Sequence, residues 1–196
     1  LDKERMAAAP RLAQAINEQL AFLEMGGAQI EVSIEHKPRS HWGQEGPSSV
    51  ELLYRPAAGL TARPLRKIAS GGEISRVMLA CKVVLGAADN AQTLVFDEVD
   101  VGVGGSAAVA LAQVLARLAQ THQVIVVTHL AQVAVVGDRH YLVSKVGDAV
   151  PETTIEEISG DERVEEVARM LSGDQTQTSL DHAREMLAAA ASQKFR

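Results

Sequence analysis

The chain has 196 residues, 46% of them hydrophobic and 22% charged, with a formal net charge of −6. That length and apolar share suffice for one substantial core or two small ones. The acidic balance argues against a chain built wholly to coat nucleic acid, because phosphate affinity rests on clustered Lys and Arg. No apolar run approaches the roughly 20 residues that cross a bilayer, and the opening "LDKERMAAAP" lacks the apolar core of a signal peptide. The one cysteine, Cys81, has no internal disulfide partner and lies among apolar residues at helical spacing. A globular, cytoplasmic chain without a membrane partner is expected.

From Leu1 to about Met25 the chain is rich in Ala, Gln and Glu, with Leu12, Ile16, Leu20 and Leu23 on one helical stripe and Gly26-Gly27 as a stop. Pro10 removes one hydrogen bond and is expected to kink this helix or to start a second one. Gln29–Glu35 and Val50–Arg55 read as strands joined by the Pro- and Gly-containing "KPRSHWGQEGPSS", a hairpin with a long loop. Trp42 in that loop is either a partner contact or, more simply, local packing.

Next come Ser70, Gly71, Gly72 and Glu73 at the mouth of a helix whose apolar stripe is Ile74, Val77, Met78, Cys81 and Leu85. Ser70 and Glu73 fit a capping box. The two glycines do not, since each costs roughly 1 kcal/mol relative to alanine in a helical turn. They suit a helix N-terminus whose free N–H groups receive an anion such as phosphate. Arg55, Arg63, Arg66, Lys67 and Arg76 crowd the approach, either as a solvated face or as a phosphate or nucleic-acid contact.

"TLVFDEVD" follows, in which Leu94, Val95 and Phe96 form an uninterrupted apolar run, the pattern of a parallel strand covered on both faces. The helix "AAVALAQVLARLA" and a second apolar strand, "QVIVVTH", complete a crossover unit, so the two strands are parallel. Strand-like "HYLVSKV" and "TTIEEI" come after it. Two closing helices carry Val164, Val167 and Leu171, then Leu180, Ala183 and Leu187. The fold class is therefore α/β, with parallel core strands, an antiparallel portion near the start and a helical end.

Parallel strands share the edge at their C-terminal ends, where open α/β sheets bind ligands. Asp97-Glu98 closes one strand and Thr128-His129 the other, so these groups are expected at one rim. Two adjacent carboxylates at a strand end call for a cation or for hydrogen-bond donors. Asp97 is the candidate ligand for Mg²⁺, and Glu98 the candidate that orients and deprotonates a water. The plain alternative is a strand that surfaces into solvent, with His129 as a satisfied structural residue. The chain contains no Gly-x-x-x-x-Gly-Lys-Ser/Thr phosphate loop, and the glycine-rich "GVGGSAA" lacks the lysine. It carries a catalytic edge without a nucleotide cradle of its own.

The ordered set "PLRKIASGGEISRVMLACK", "TLVFDEVDVGVGG", "QVIVVTHLAQVA" and "RVEEVARMLSG" resembles the C-terminal half of an ATP-binding-cassette head of the SMC type, in its bacterial DNA-repair branch. The resemblance spans most of Pro64 to Gly173. It implies that residues 1–25 are the end of a returning coiled-coil helix and that 26–196 form the C-terminal lobe of an ATPase head. By the same resemblance, Ser70, Gly71, Gly72 and Glu73 are a signature motif touching the γ-phosphate of ATP held by an opposing head. Asp97 is then the Walker B aspartate that holds Mg²⁺, Glu98 the catalytic base and His129 the switch histidine. Asp100 and Gly102 lie in a loop that crosses a dimer interface. Implied partners are the N-terminal Walker A lobe, a second head in an ATP-sandwiched homodimer, and DNA, with a nucleoid-associated location.

Ala69 and Glu73 depart from the leucine and glutamine of many cassettes, and Val101 and Gly104 stand where more polar residues are common. Most of the coiled-coil arm and the N-terminal lobe are missing from this sequence, so the chain alone is expected not to hydrolyse ATP. Two competing readings remain: a non-catalytic module that binds a partner or DNA through its basic approach and the Trp42 loop, and a structural α/β domain with solvated acids.

Overall fold

The computed structural model describes residues 1–68, 70–88, 91–146 and 152–193. Ala69 lies outside them. The first helix, α1 (Asp2–Phe22), runs through Pro10 as a single element. The bond that Pro10 cannot make would have gone to the carbonyl of Met6, and both residues are exposed, where a carbonyl needs no partner within the chain. Ile16, Leu20 and Leu23 are buried from the start of the main core onward.

Strands β1 (Gln29–His36) and β2 (Ser48–Arg55) pair antiparallel from Gln29 opposite Arg55 to His36 opposite Ser48, and a short β3 (Arg63–Pro64) adds to β2. Asn17 of α1 fastens this sheet by bonding both the N–H and the carbonyl of Ile30. The glycine-opened helix is α2 (Gly71–Leu85), followed by β4 (Thr93–Phe96), α3 (Gly105–Leu118) and β5 (Gln123–Val126). A short α4 (Ala131–Ala134) precedes the antiparallel pair β6 (His140–Val146) and β7 (Glu152–Ile158). Helices α5 (Gly160–Ser172) and α6 (Gln177–Gln193) close the described chain. No described helix is long and apolar enough to cross a membrane.

Apolar residues of α1, β1, α2, β4 and α3 meet in one cluster, and those of α4, α5 and α6 in a second. Arg163 ties α5 to the end of α4 by donating from Nη2 to the carbonyls of Ala134 and Gly137 at 3.0 and 2.9 Å. Cys81 is core, and burial pushes its thiol up to about 11.

Two expectations fail in detail. The buried face of α2 is Val77, Leu79, Ala80 and Cys81, whereas Met78 and Leu85 are exposed. Helix α2 lies between α1 and α3, and small Ala80 lets a neighbour approach where a long side chain would not fit. The β4–β5 pair is parallel as expected, Thr93 opposite Gln123 through Phe96 opposite Val126. It is covered on one face only. Leu94 and Phe96 are buried, whereas Val95, Ile125 and Val127 are 66%, 47% and 58% exposed.

Candidate functional site

The parallel register carries both chains to the same edge. Val127 N–H donates to the Phe96 carbonyl at 3.0 Å, and Asp97-Glu98 and Thr128-His129 leave the sheet side by side. Asp97, Glu98 and the His129 ring are exposed on this rim, which is open rather than a pocket.

Helix α2 abuts the rim from below. Ser70 caps it, its Oγ accepting from the Glu73 N–H at 3.4 Å. Ser75 Oγ donates to the Asp97 carbonyl at 2.8 Å, and Arg76 Nη1 donates to the carbonyls of Val99 and Val101 at 3.1 and 2.8 Å. Burial lowers the pKa of Arg76, opposed by the charges of Glu73, Tyr54 and Asp100. A guanidinium so placed is a strut inside the chain rather than part of an outward basic patch.

The two glycines now separate. A Cβ at Gly71 would collide with the Glu98 carboxylate, which rests against the first turn of α2. A Cβ at Gly72 would meet the Val101 carbonyl at 3.1 Å and Arg76 Nη1 at 3.2 Å. Gly72 therefore allows the loop after β4 to lie on the helix, and Gly71 leaves a space that a carboxylate already fills. A helix N-terminus favours an anion there. Glu98 adopts a left-handed backbone, φ +57°, one of two such non-glycine residues described. Strain of this kind concentrates at functional sites.

Val99 and Asp100 turn inward. Asp100 is 2% exposed, and its Oδ2 accepts from Thr128 Oγ1 at 2.6 Å and from His129 N–H at 3.0 Å, while the His129 ring places Nδ1 3.1 Å from the same oxygen. Gly102, with φ +73°, lies exposed beyond the turn. The structure thus brings together Ser70–Glu73, Asp97, Glu98, Asp100 and His129. Ser75, Arg76 and Thr128 were not among the site residues read from the sequence. Their position three to five residues after the glycines, or beside the histidine, was the available signal.

The basic approach is largely spent within the chain. Arg55 pairs with Glu31, Arg66 with Glu51 at 3.1 Å, and Arg76 is turned inward. Arg63 and Lys67 remain exposed. Trp42 packs locally, Nε1 donating to the Lys37 carbonyl at 2.9 Å with the His36 ring edge-on at 6.1 Å.

No family model matches this chain. It is 44% identical over 202 residues to the DNA repair protein RecN of Streptomyces coelicolor, a match covering 97% of this chain and 35% of that protein. RecN of Deinococcus radiodurans gives 44% over 191 residues, covering 96% and 33%. This chain is similar to RecN along nearly all of its length. It spans about a third of the length of the curated RecN relatives it matches. Among solved structures, the Smc head domain with a coiled coil and joint from Pyrococcus yayanosii superposes with a TM-score of 0.57 at 21% identity, covering 97% of this chain and 32% of that one. An Smc head from Pyrococcus furiosus, bound to the C-terminal domain of ScpA, gives 0.55 at 22% identity, covering 80% and 36%. The fold of this RecN-like chain is that of part of an SMC-type head.

Proposed function

We propose that this chain is the C-terminal lobe of an SMC-like ATPase head acting in DNA double-strand-break repair and recombination. In this reading it supplies the signature motif, the Walker B carboxylates and the switch histidine for ATP-driven head dimerisation and hydrolysis. The observation that carries the proposal is the meeting of Asp97, Glu98 and His129 with the glycine-opened end of α2 at one rim. Likeness to proteins named for DNA repair and to SMC heads supports the wider role.

Each residue then has a physical task. Gly71 and Gly72 present backbone N–H groups to the γ-phosphate of ATP on an opposing head, in place of the Glu98 carboxylate that rests there in the free chain. Glu98 swings away to orient and deprotonate the attacking water, and His129 meets the γ-phosphate from the second strand. Glu73 ends the motif, and Gly102 lies with the outer part of the loop at the head–head contact. Asp97 fits Mg²⁺, which takes one or two carboxylates and completes its shell with phosphate and water. Among the described residues, the rim included, no group of three or more His, Cys, Asp or Glu side chains is placed to hold a metal, so Asp97 would supply only part of the ion's shell. The bound ion would neutralise phosphate charge.

The bare face of β4 and β5 supports a missing half. Purely parallel strands are covered on both faces, and Val95, Ile125 and Val127 are the positions that an N-terminal Walker A lobe would cover. Residues 1–25 then end the returning coiled coil and 26–196 form the lobe. The DNA-module alternative loses ground with the pairing of Arg55 and Arg66.

The test is Glu98→Gln in the full-length protein. ATP-dependent head association, followed by light scattering, should persist while phosphate release falls by on the order of a hundredfold or more. Parental turnover in that variant would remove Glu98 from its role.

A further inference from the structure

The loop after β4 is held from two sides. Arg76 Nη1 binds the carbonyls of Val99 and Val101, the residues flanking Asp100, and the backbone of Gly72 lies against Val101. Between those anchors the Asp100 side chain, 3% exposed, turns inward toward the end of β5. One of its oxygens accepts from the Thr128 hydroxyl and the His129 N–H and stands 3.1 Å from His129 Nδ1. Thr128 Oγ1 in turn accepts from Leu130 N–H at 3.0 Å, so the hydroxyl is used twice and its orientation is fixed. The His129 ring, by contrast, is 68% exposed. Among the described residues, Asp100 is the charged group beside it.

We propose that Asp100 is a positioning residue for His129, fixing the imidazole through Nδ1 so that Nε2 is the nitrogen presented at the rim. This deepens, and rests on, the reading of the rim as an ATPase half-site. An imidazole carries its proton on one nitrogen when neutral and on both when charged. A carboxylate beside Nδ1 holds a proton there in either state, which leaves Nε2 as the variable point. When the ring is charged, Nε2–H donates to a phosphate oxygen while the second N–H stays on Asp100. An exposed ring without that anchor rotates, and the aim of Nε2 is lost. Asp100 thereby acts within its own chain. Arg76 extends the same linkage to α2, so the glycine-opened turn and the histidine are set by one loop.

Two measurements on the full-length protein test this. In a kinetic cycle, Asp100→Asn should lower kcat by on the order of tenfold with KM changed less than about threefold. In a His129→Gln background the same substitution should cost less than about twofold. An equal loss in both backgrounds, or no loss in either, overturns the proposal. The second measurement needs no turnover: long-range ¹H–¹⁵N spectra of ¹⁵N-histidine-labelled protein, with the His129 signal identified by its loss in His129→Gln. The neutral ring should carry its proton on Nδ1 in the parent and shift toward the Nε2–H form in Asp100→Ala. A parent ring in the Nε2–H form, or one unchanged by Asp100→Ala, contradicts the proposal whatever the kinetics give. Absence of ATP hydrolysis in the parent would sink the half-site reading alone, and the spectra would still decide the role of Asp100.

Discussion

The two faces of the β4–β5 pair differ in surroundings more than in composition: the covered face is wholly apolar, and the other carries Val95, Ile125 and Val127 beside the paired Thr93 and Gln123. Leu94 and Phe96 are buried within the main core, whereas Val95, Ile125 and Val127 meet solvent. Among the described residues nothing covers Val95, Ile125 and Val127. The covered side holds the rim in place from beneath. The bare side is where the proposed Walker A lobe would dock.

That contrast can be broken by substitution. Phe96→Ala on the covered face should cost about 3–5 kcal/mol, read from denaturant unfolding, because it empties a packed site. Arg76→Ala should cost about 2–3 kcal/mol by leaving the Val99 and Val101 carbonyls without their donor. Arg76→Lys should recover only part of this, since one ammonium does not reproduce the guanidinium fork. Gly72→Ala should cost about 1–3 kcal/mol, because the backbone carbonyl of Val101 must give way. Gly71→Ala meets only the end of a flexible carboxylate, so its cost in stability should stay below about 1 kcal/mol. Smallest of all, Val95→Asp on the bare face should change the stability of this chain by less than about 0.5 kcal/mol. The same change should abolish association with a Walker A lobe. A large loss of stability in the chain alone would mean that the face is covered after all.

The sequence disclosed those parts of the fold that follow from period and punctuation. The helix stripe at Ile16 and Leu20, the β1–β2 hairpin, the crossover unit and the common edge of Asp97 and His129 all come from apolar spacing and the rules of parallel connection. Of the two outcomes expected at Pro10, the start of a second helix did not occur, the lost bond falling on an exposed turn of one continuous helix. Met78 and Leu85 misled for another reason. Apolar size suggested the core face of α2, and small Ala80 took it because neighbouring helices press close. At the site, the carboxylates and the histidine were legible as polar residues ending apolar strands. The hold of Arg76 on the loop was not, since a basic residue one turn into a helix looks solvated until its carbonyl partners are placed, and those lie more than 20 residues away. The inward turn of Asp100 was hidden likewise, because it depends on a strand beyond the next helix.

The central claim is that this rim completes an ATP site only together with a Walker A lobe. Its most direct test is phosphate release from ATP by this chain alone, by a separately prepared Walker A lobe alone, and by the two mixed. Background release is expected from each part and clear turnover from the mixture, lost again with Glu98→Gln. Turnover by this chain alone, or a mixture that associates yet hydrolyses no faster than its parts, would contradict it.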